Sequence, residues 1–149
     1  MDNSTCSVRA LLLGEYSSDR RLIRDVFLKS RWELREPENA GEALEWARQG
    51  LGDVIIAESS DWEDLLDVLV QLSQPPALIV TSRTADAELW AAVLNRGGFD
   101  VLPQPLDREE LQRVVAAASR HALSSRKAEP KAINSAEEPI SFDFPAITL

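Results

Sequence analysis

Five short apolar runs, separated by stretches of helical spacing, limit this chain to a narrow set of folds. The runs are "VRALLL" (8–13), a weaker "WELRE" (32–36), "DVIIA" (53–57), "PALIVT" (76–81) and "FDVL" (99–102). They are too short for helices, and most are continuous Val, Ile and Leu, as expected of strands buried on both faces. Helical patterns fill the gaps. Leu22, Ile23, Val26 and Phe27 share one face behind a Ser17 or Ser18 cap, and Asn39 with Glu42 spells a capping box ahead of Ala43, Leu44 and Ala47. Asp61 caps a third helix bearing Leu65, Leu66, Leu69 and Leu72, which "SQPP" stops. Thr84 or Asp86 starts a fourth that buries Leu89, Trp90, Val93 and Leu94 and ends at Gly97 and Gly98. Asp107 with Glu110 opens a fifth, carrying Leu111, Val114, Val115 and Ala118. Strict alternation predicts an α/β chain of five βα units, a three-layer sandwich around a central five-stranded parallel sheet. Any site then belongs at the C-terminal strand ends, which carry Gly14 and Glu15, Glu58, Thr81 and Ser82, and Gln104 with Pro105.

At 149 residues and 44% hydrophobic content, the chain suffices for one domain with its own core. Its net charge of -9 opposes nucleic-acid phosphates and anionic lipid, so neither direct DNA binding nor membrane binding is expected. The single cysteine, Cys6, excludes an intramolecular disulfide and a multi-cysteine metal site. "MDNSTCSVRA" lacks the basic start and apolar stretch of a secretion signal, and no apolar run reaches membrane-spanning length, so the expected location is cytoplasmic. Residues 1–7 read as a disordered leader and 8–123 as the folded domain. From 124 onward "SSRKAEPKAINSAEEP" reads as the start of a flexible acidic tail, 124–149. That tail closes on "ISFDFPAITL", whose Ile140, Phe142, Phe144, Ile147 and Leu149 form an apolar cluster suited to docking on a partner or on the domain itself.

Several chemistries are disfavoured. "LLGEYSSDRR" has only Gly14 where a phosphate-cradling loop needs several glycines. His121, the only histidine, falls in what reads as the last turn of the fifth helix, a favourable place for a structural cation. Trp32, Trp46, Trp62 and Trp90 sit on or beside apolar positions and read as packing residues. What remains is the acid pair Glu15 and Glu58 with a hydroxyl at Thr81.

Here residues 8 to 122 resemble the receiver domains of two-component response regulators. "LLLGEYSSDRRLIRDVF" matches the family's acid-pair strand and first helix, "GDVIIAE" the phosphoacceptor strand, "ALIVTSR" the hydroxyl strand and "FDVLPQPLDREEL" the Lys-Pro segment. The resemblance implies a flavodoxin-like (βα)5 fold and a role in signalling. It also implies that Gly14 and Glu15 hold the acid-pair positions, Glu58 the phosphoacceptor position, Thr81 that of the switch hydroxyl, Val101 that of the switch aromatic, Gln104 that of the conserved Lys and Pro105 that of a cis proline.

The departures bear on chemistry. Gly14 supplies no carboxylate, which leaves Glu15 and Glu58 as the only metal ligands, so Mg²⁺ binding is expected to be weak or absent and no other cofactor is expected. Glu58 is one methylene longer than Asp; displacing its oxygens by about 1 Å costs on the order of 100-fold in rate. Gln104 donates only a neutral hydrogen bond where Lys would pair with a phosphoryl charge. Glu58 then reads in two ways. Its carboxylate imitates a phosphorylated Asp and accepts a hydrogen bond from Thr81, or the site has decayed and Glu58 is a polar strand end bonded to Gln104 or paired with Arg83. The expected protein is a non-enzymatic, stand-alone atypical receiver acting by binding a signalling partner (a histidine kinase, an effector or a regulator), with room for a homodimer. Two rivals are a residual phospho-accepting receiver using Glu58, and a small flavodoxin-like enzyme or ligand-binding protein at the same strand ends.

Overall fold

A computed structural model describes residues 8–14, 19–58 and 62–134. Among them strand and helix alternate through five units: β1 (Arg9–Leu13), α1 (Arg20–Ser30), β2 (Glu33–Arg35), α2 (Ala40–Arg48), β3 (Val54–Glu58), α3 (Trp62–Leu69), β4 (Ala77–Ser82), α4 (Ala87–Asn95), β5 (Asp100–Pro103) and α5 (Arg108–Asn134). The strands form one parallel sheet in the order β2-β1-β3-β4-β5. The five-unit α/β expectation is met, including the weak second strand.

Alternating strand residues feed two cores. Ala10, Leu12, Val54, Ile56 and Ile79 meet α1 and α5 through Ile23, Phe27, Leu111 and Val115. Leu11, Ile55, Leu78 and Val80 meet the opposite layer through Ala47, Leu65, Leu69 and Val93. Each large side chain so enclosed contributes about 1.5–3 kcal/mol, so both sheet faces must be covered for the strands to persist. Caps set where the helices begin. Asn39 Oδ1 accepts from the Glu42 amide at 2.9 Å, Asp86 Oδ1 from Leu89 at 2.9 Å and Asp107 Oδ2 from Glu110 at 2.9 Å, as the sequence predicts. The α1 N-cap is Asp19; Ser17, Ser18 and Asp61 lie outside the described residues.

Three expectations are corrected. Trp90 is 50% exposed, because α4 lays only Val93 fully into the core and Trp90 turns to the flank, where its indole N–H donates to Asp100 at 3.2 Å. The fifth helix does not stop near 123 but continues to Asn134, so the segment expected to be a flexible tail from 124 begins as helix. Arg126, Lys127, Ala128 and Glu129 are good helix formers, but Pro130 also lies within the helix, where a proline ordinarily costs about 3 kcal/mol, and nothing in the structure explains how the helix carries it. His121 consequently lies mid-helix and exposed, its ring 5.4 Å from that of Phe99, and not in a last turn. The leader and residues 135–149, including the apolar cluster, lie outside the described residues. Among the described residues no helix is long and apolar enough to cross a membrane.

The strand-start edge is held by charge. Asp53 is 2% exposed, and Arg9 forks onto it, with Nη2 to Oδ1 at 3.1 Å and Nε to Oδ2 at 3.3 Å. The backbone reinforces the link, since the Asp53 amide donates to the Arg9 carbonyl at 2.7 Å. Replacing Arg9 by Met keeps the stem and removes two charge-assisted bonds from a buried carboxylate, which is expected to cost about 2 kcal/mol in chemical denaturation. Adding Asp53→Leu to that variant is expected to recover part of the loss.

Candidate functional site

Parallel strands end together, so the residues following them gather on one edge. The sheet order reverses between β1 and β3, and open α/β sheets place their crevice at that reversal. Gly14 follows β1 and Glu58 closes β3, so these two face each other at the reversal itself. Glu58 pairs in register with Thr81 on β4, and Thr81 with Leu102 on β5. Thr81 is fully buried and Glu58 half-buried. The strand ends thus bring together Gly14, Glu58, Thr81 and Gln104, as the sequence implied; Glu15 lies outside the described residues.

The central contact is steric. Gly14 has φ +131°, a conformation L side chains rarely adopt, and a Cβ there would lie 2.9 Å from Glu58 Cγ and 3.0 Å from Oε1. The Glu58 side chain therefore folds over Gly14 and fills the volume that a side chain at 14 would need. A carboxylate from each position does not fit with this backbone and this rotamer.

The rest of the edge is braced by backbone groups. Ser82 Oγ accepts from the Thr84 amide at 3.1 Å, closing the chain after β4. The Ser82 carbonyl accepts from the Gln104 amide at 2.9 Å, which holds the β5 loop against β4. The Gln104–Pro105 peptide bond is cis. Val101 is buried beside Val80, and next to it an open groove of ≈ 370 Å³ runs between Ala87, Trp90 and Pro103.

Two supports were not legible in the sequence. Arg20, at the start of α1, donates through Nη2 to the Gly14 carbonyl at 2.6 Å and also pairs with Glu36. Arg24 forks onto the same Glu36 at 2.8 and 2.9 Å. Asp19 is buried, and instead of capping its own helix its Oδ1 accepts from the Leu106 amide at 3.3 Å, joining α1 to the loop after β5. Local patterns mark both acids as surface or capping residues; their partners are distant in sequence.

A divalent cation at this edge needs several carboxylates. Among the described residues no group of three or more His, Cys, Asp or Glu is placed to hold a metal, and Gly14 brings none while Glu58 covers it.

The hydrogen bonds from Arg24, and then those from Arg20, hold the Glu36 carboxyl below its ordinary range against the opposing effect of burial. A depressed folded-state value means that the stabilisation is complete above the ordinary carboxylate range and is lost as pH falls through the folded-state value. Glu36→Gln should therefore cost about 1 kcal/mol at neutral pH, and its melting temperature should converge on that of the parent chain in acid. For the steric contact, Gly14→Ala is expected to cost about 2 kcal/mol through strain and collision with Glu58. Adding Glu58→Ala should return the collision part and leave the backbone part, a coupling read from a double-mutant cycle of denaturation midpoints.

No family model matches the chain. It is 33% identical over 110 residues to the DNA-binding transcriptional regulator NtrC of Azospirillum brasilense, a match covering 68% of this chain and 23% of that protein. The chain thus spans less than a quarter of the length of that curated relative. Among solved structures it superposes on the BeF3-activated receiver domain of nitrogen regulatory protein C with a TM-score of 0.65 at 22% identity, covering 77% of this chain and 96% of that one. It superposes on a CheY-like response regulator receiver domain from Methanospirillum hungatei with a TM-score of 0.67 at 15% identity, covering 79% and 98%.

Proposed function

This chain is a response regulator receiver domain of two-component signalling, and we propose that it signals by binding a partner protein without aspartyl phosphorylation. The observation that carries the reading is the Glu58 side chain packed over Gly14, which puts a carboxylate where the family's nucleophile is expected and covers the place of a metal-binding acid. In this reading Glu58 presents a permanent negative charge next to buried Thr81, in place of a phosphoryl group that comes and goes. The strand ends then hold one state, and the output passes through whichever partner recognises it: a histidine kinase, an effector or a regulator. Mg²⁺ binds weakly, since Gly14 contributes no ligand and Gln104 supplies no fixed cation to balance a phosphoryl group. The role is that of an interaction module rather than a catalyst.

Intact-mass spectrometry after incubation with a small phosphodonor and Mg²⁺ tests this reading. The parent chain is expected to keep its mass. An acid-labile adduct mapped to Glu58 would overturn the proposal in favour of a phospho-accepting receiver. The packing adds a condition on rebuilding the family's chemistry: Gly14→Asp with Gln104→Lys should stay unlabelled while Glu58 fills the space, and only addition of Glu58→Asp should permit labelling. If the Glu58 charge sets the signalling state, Glu58→Gln keeps the shape and should weaken partner binding with little change in stability. Unchanged binding would mark Glu58 as the remnant of a decayed site.

A further inference from the structure

At the opposite edge of the sheet, where the strands begin, lies a small apolar cavity of ≈ 110 Å³. Leu66 and Leu69 of α3, Val70 after it, Phe99 before β5, and His121 and Ala122 of α5 line it. Val70 is 52% exposed there, an unusual position for a large aliphatic side chain beside a ready-made recess. The Phe99 and His121 rings, with centroids 5.4 Å apart, make one wall. An apolar cavity of about 150 Å³ takes up a benzene-sized molecule, so this recess, open to one side, is on the scale of one aromatic side chain.

We propose that residues 140–149, "ISFDFPAITL", dock in this cavity within the same chain, seating one of the rings of Phe142 and Phe144 against Val70, Phe99 and His121. The site is separate from the chemistry at Glu58 and stands whether or not that carboxylate signals. Reach supports it. The α5 axis between Ala122 and Asn134 is about 18 Å long, while the chain between Asn134 and Phe142 spans up to about 27 Å when extended, enough to return beside the helix to the level of the cavity. Charge supports it as well: residues 135–149 contain Glu137, Glu138 and Asp143 with no Lys or Arg, and exposed Arg120 stands next to His121 of the lining, whereas Arg96 beside Gly97 is already paired with Asp67 at 3.2 Å. Pro139 and Pro145 bracket the two phenylalanines in the sequence and disfavour a continuous helix through them. A tether this short holds the segment at about millimolar effective concentration, which favours its own cavity over that of a second copy.

Paramagnetic relaxation in the full chain provides the test. With Cys6→Ser removing the only native thiol, Ala146→Cys carries a nitroxide, and the amide signals of Val70, Gly98 and His121 are followed. Those signals are expected to be lost selectively, to the same extent at every protein concentration, and to return when Phe142→Ala and Phe144→Ala are introduced together. Because neither phenylalanine belongs to the described core, an unchanged amide spectrum elsewhere will show that the variant still folds. Intact signals around the cavity, loss centred on another surface, or persistence of the loss in the double phenylalanine variant would each overturn the proposal. Loss that disappears on dilution would also overturn it and would assign the cavity to a second copy.

Discussion

The contact between Glu58 and Gly14 is the constraint on which the reading of this domain depends. Both lie where the sheet order reverses, the place where an open parallel sheet presents its ends to a ligand. A residue with a Cβ at 14 and the present Glu58 rotamer compete for one volume, and the positive φ at 14 independently favours glycine. Two of the departures from the family's pattern are thus one structural fact.

The frame around this contact is built to hold still. Arg20 ties the Gly14 carbonyl to Glu36, and Arg24 anchors the same glutamate, so the chain leaving β1 is fixed from α1 and from the segment after β2 together. Asp19 fixes α1 to the loop after β5, and the Gln104 amide fixes that loop to β4. Below the edge, the register of β3 with its neighbours on both sides is secured by two apolar layers and, at the far end, by the Arg9–Asp53 pair. Rearranging the strand ends requires these links to move together.

Much of this is legible in the sequence. Runs of Val, Ile and Leu between amphipathic stretches specify a doubly covered parallel sheet, and that topology alone places Gly14, Glu58, Thr81 and Gln104 on one edge. Caps at Asn39, Asp86 and Asp107 were readable because a cap acts within one helical turn. The misreadings came from tertiary context. Trp90 has the spacing of a core residue, but α4 covers too narrow a strip to bury it. The end of α5 is not readable from apolar spacing, because the periodic face of Leu111, Val114, Val115 and Ala118 stops before the helix does. The Arg20–Gly14 and Asp19–Leu106 bonds, like the collision that a Cβ at 14 would meet, arise only when distant segments are brought together.

A titration of the parent chain with Mg²⁺ and then beryllofluoride, followed through the backbone amides of Gly14, Glu58 and Thr81, tests the central claim most directly. With Glu58 filling the space over Gly14, these amides should show no saturable shift through the millimolar range of either addition. A saturable, Mg²⁺-dependent shift confined to the strand ends would mean that Glu58 swings aside to admit a metal and a phosphoryl analogue, and would contradict the closed site.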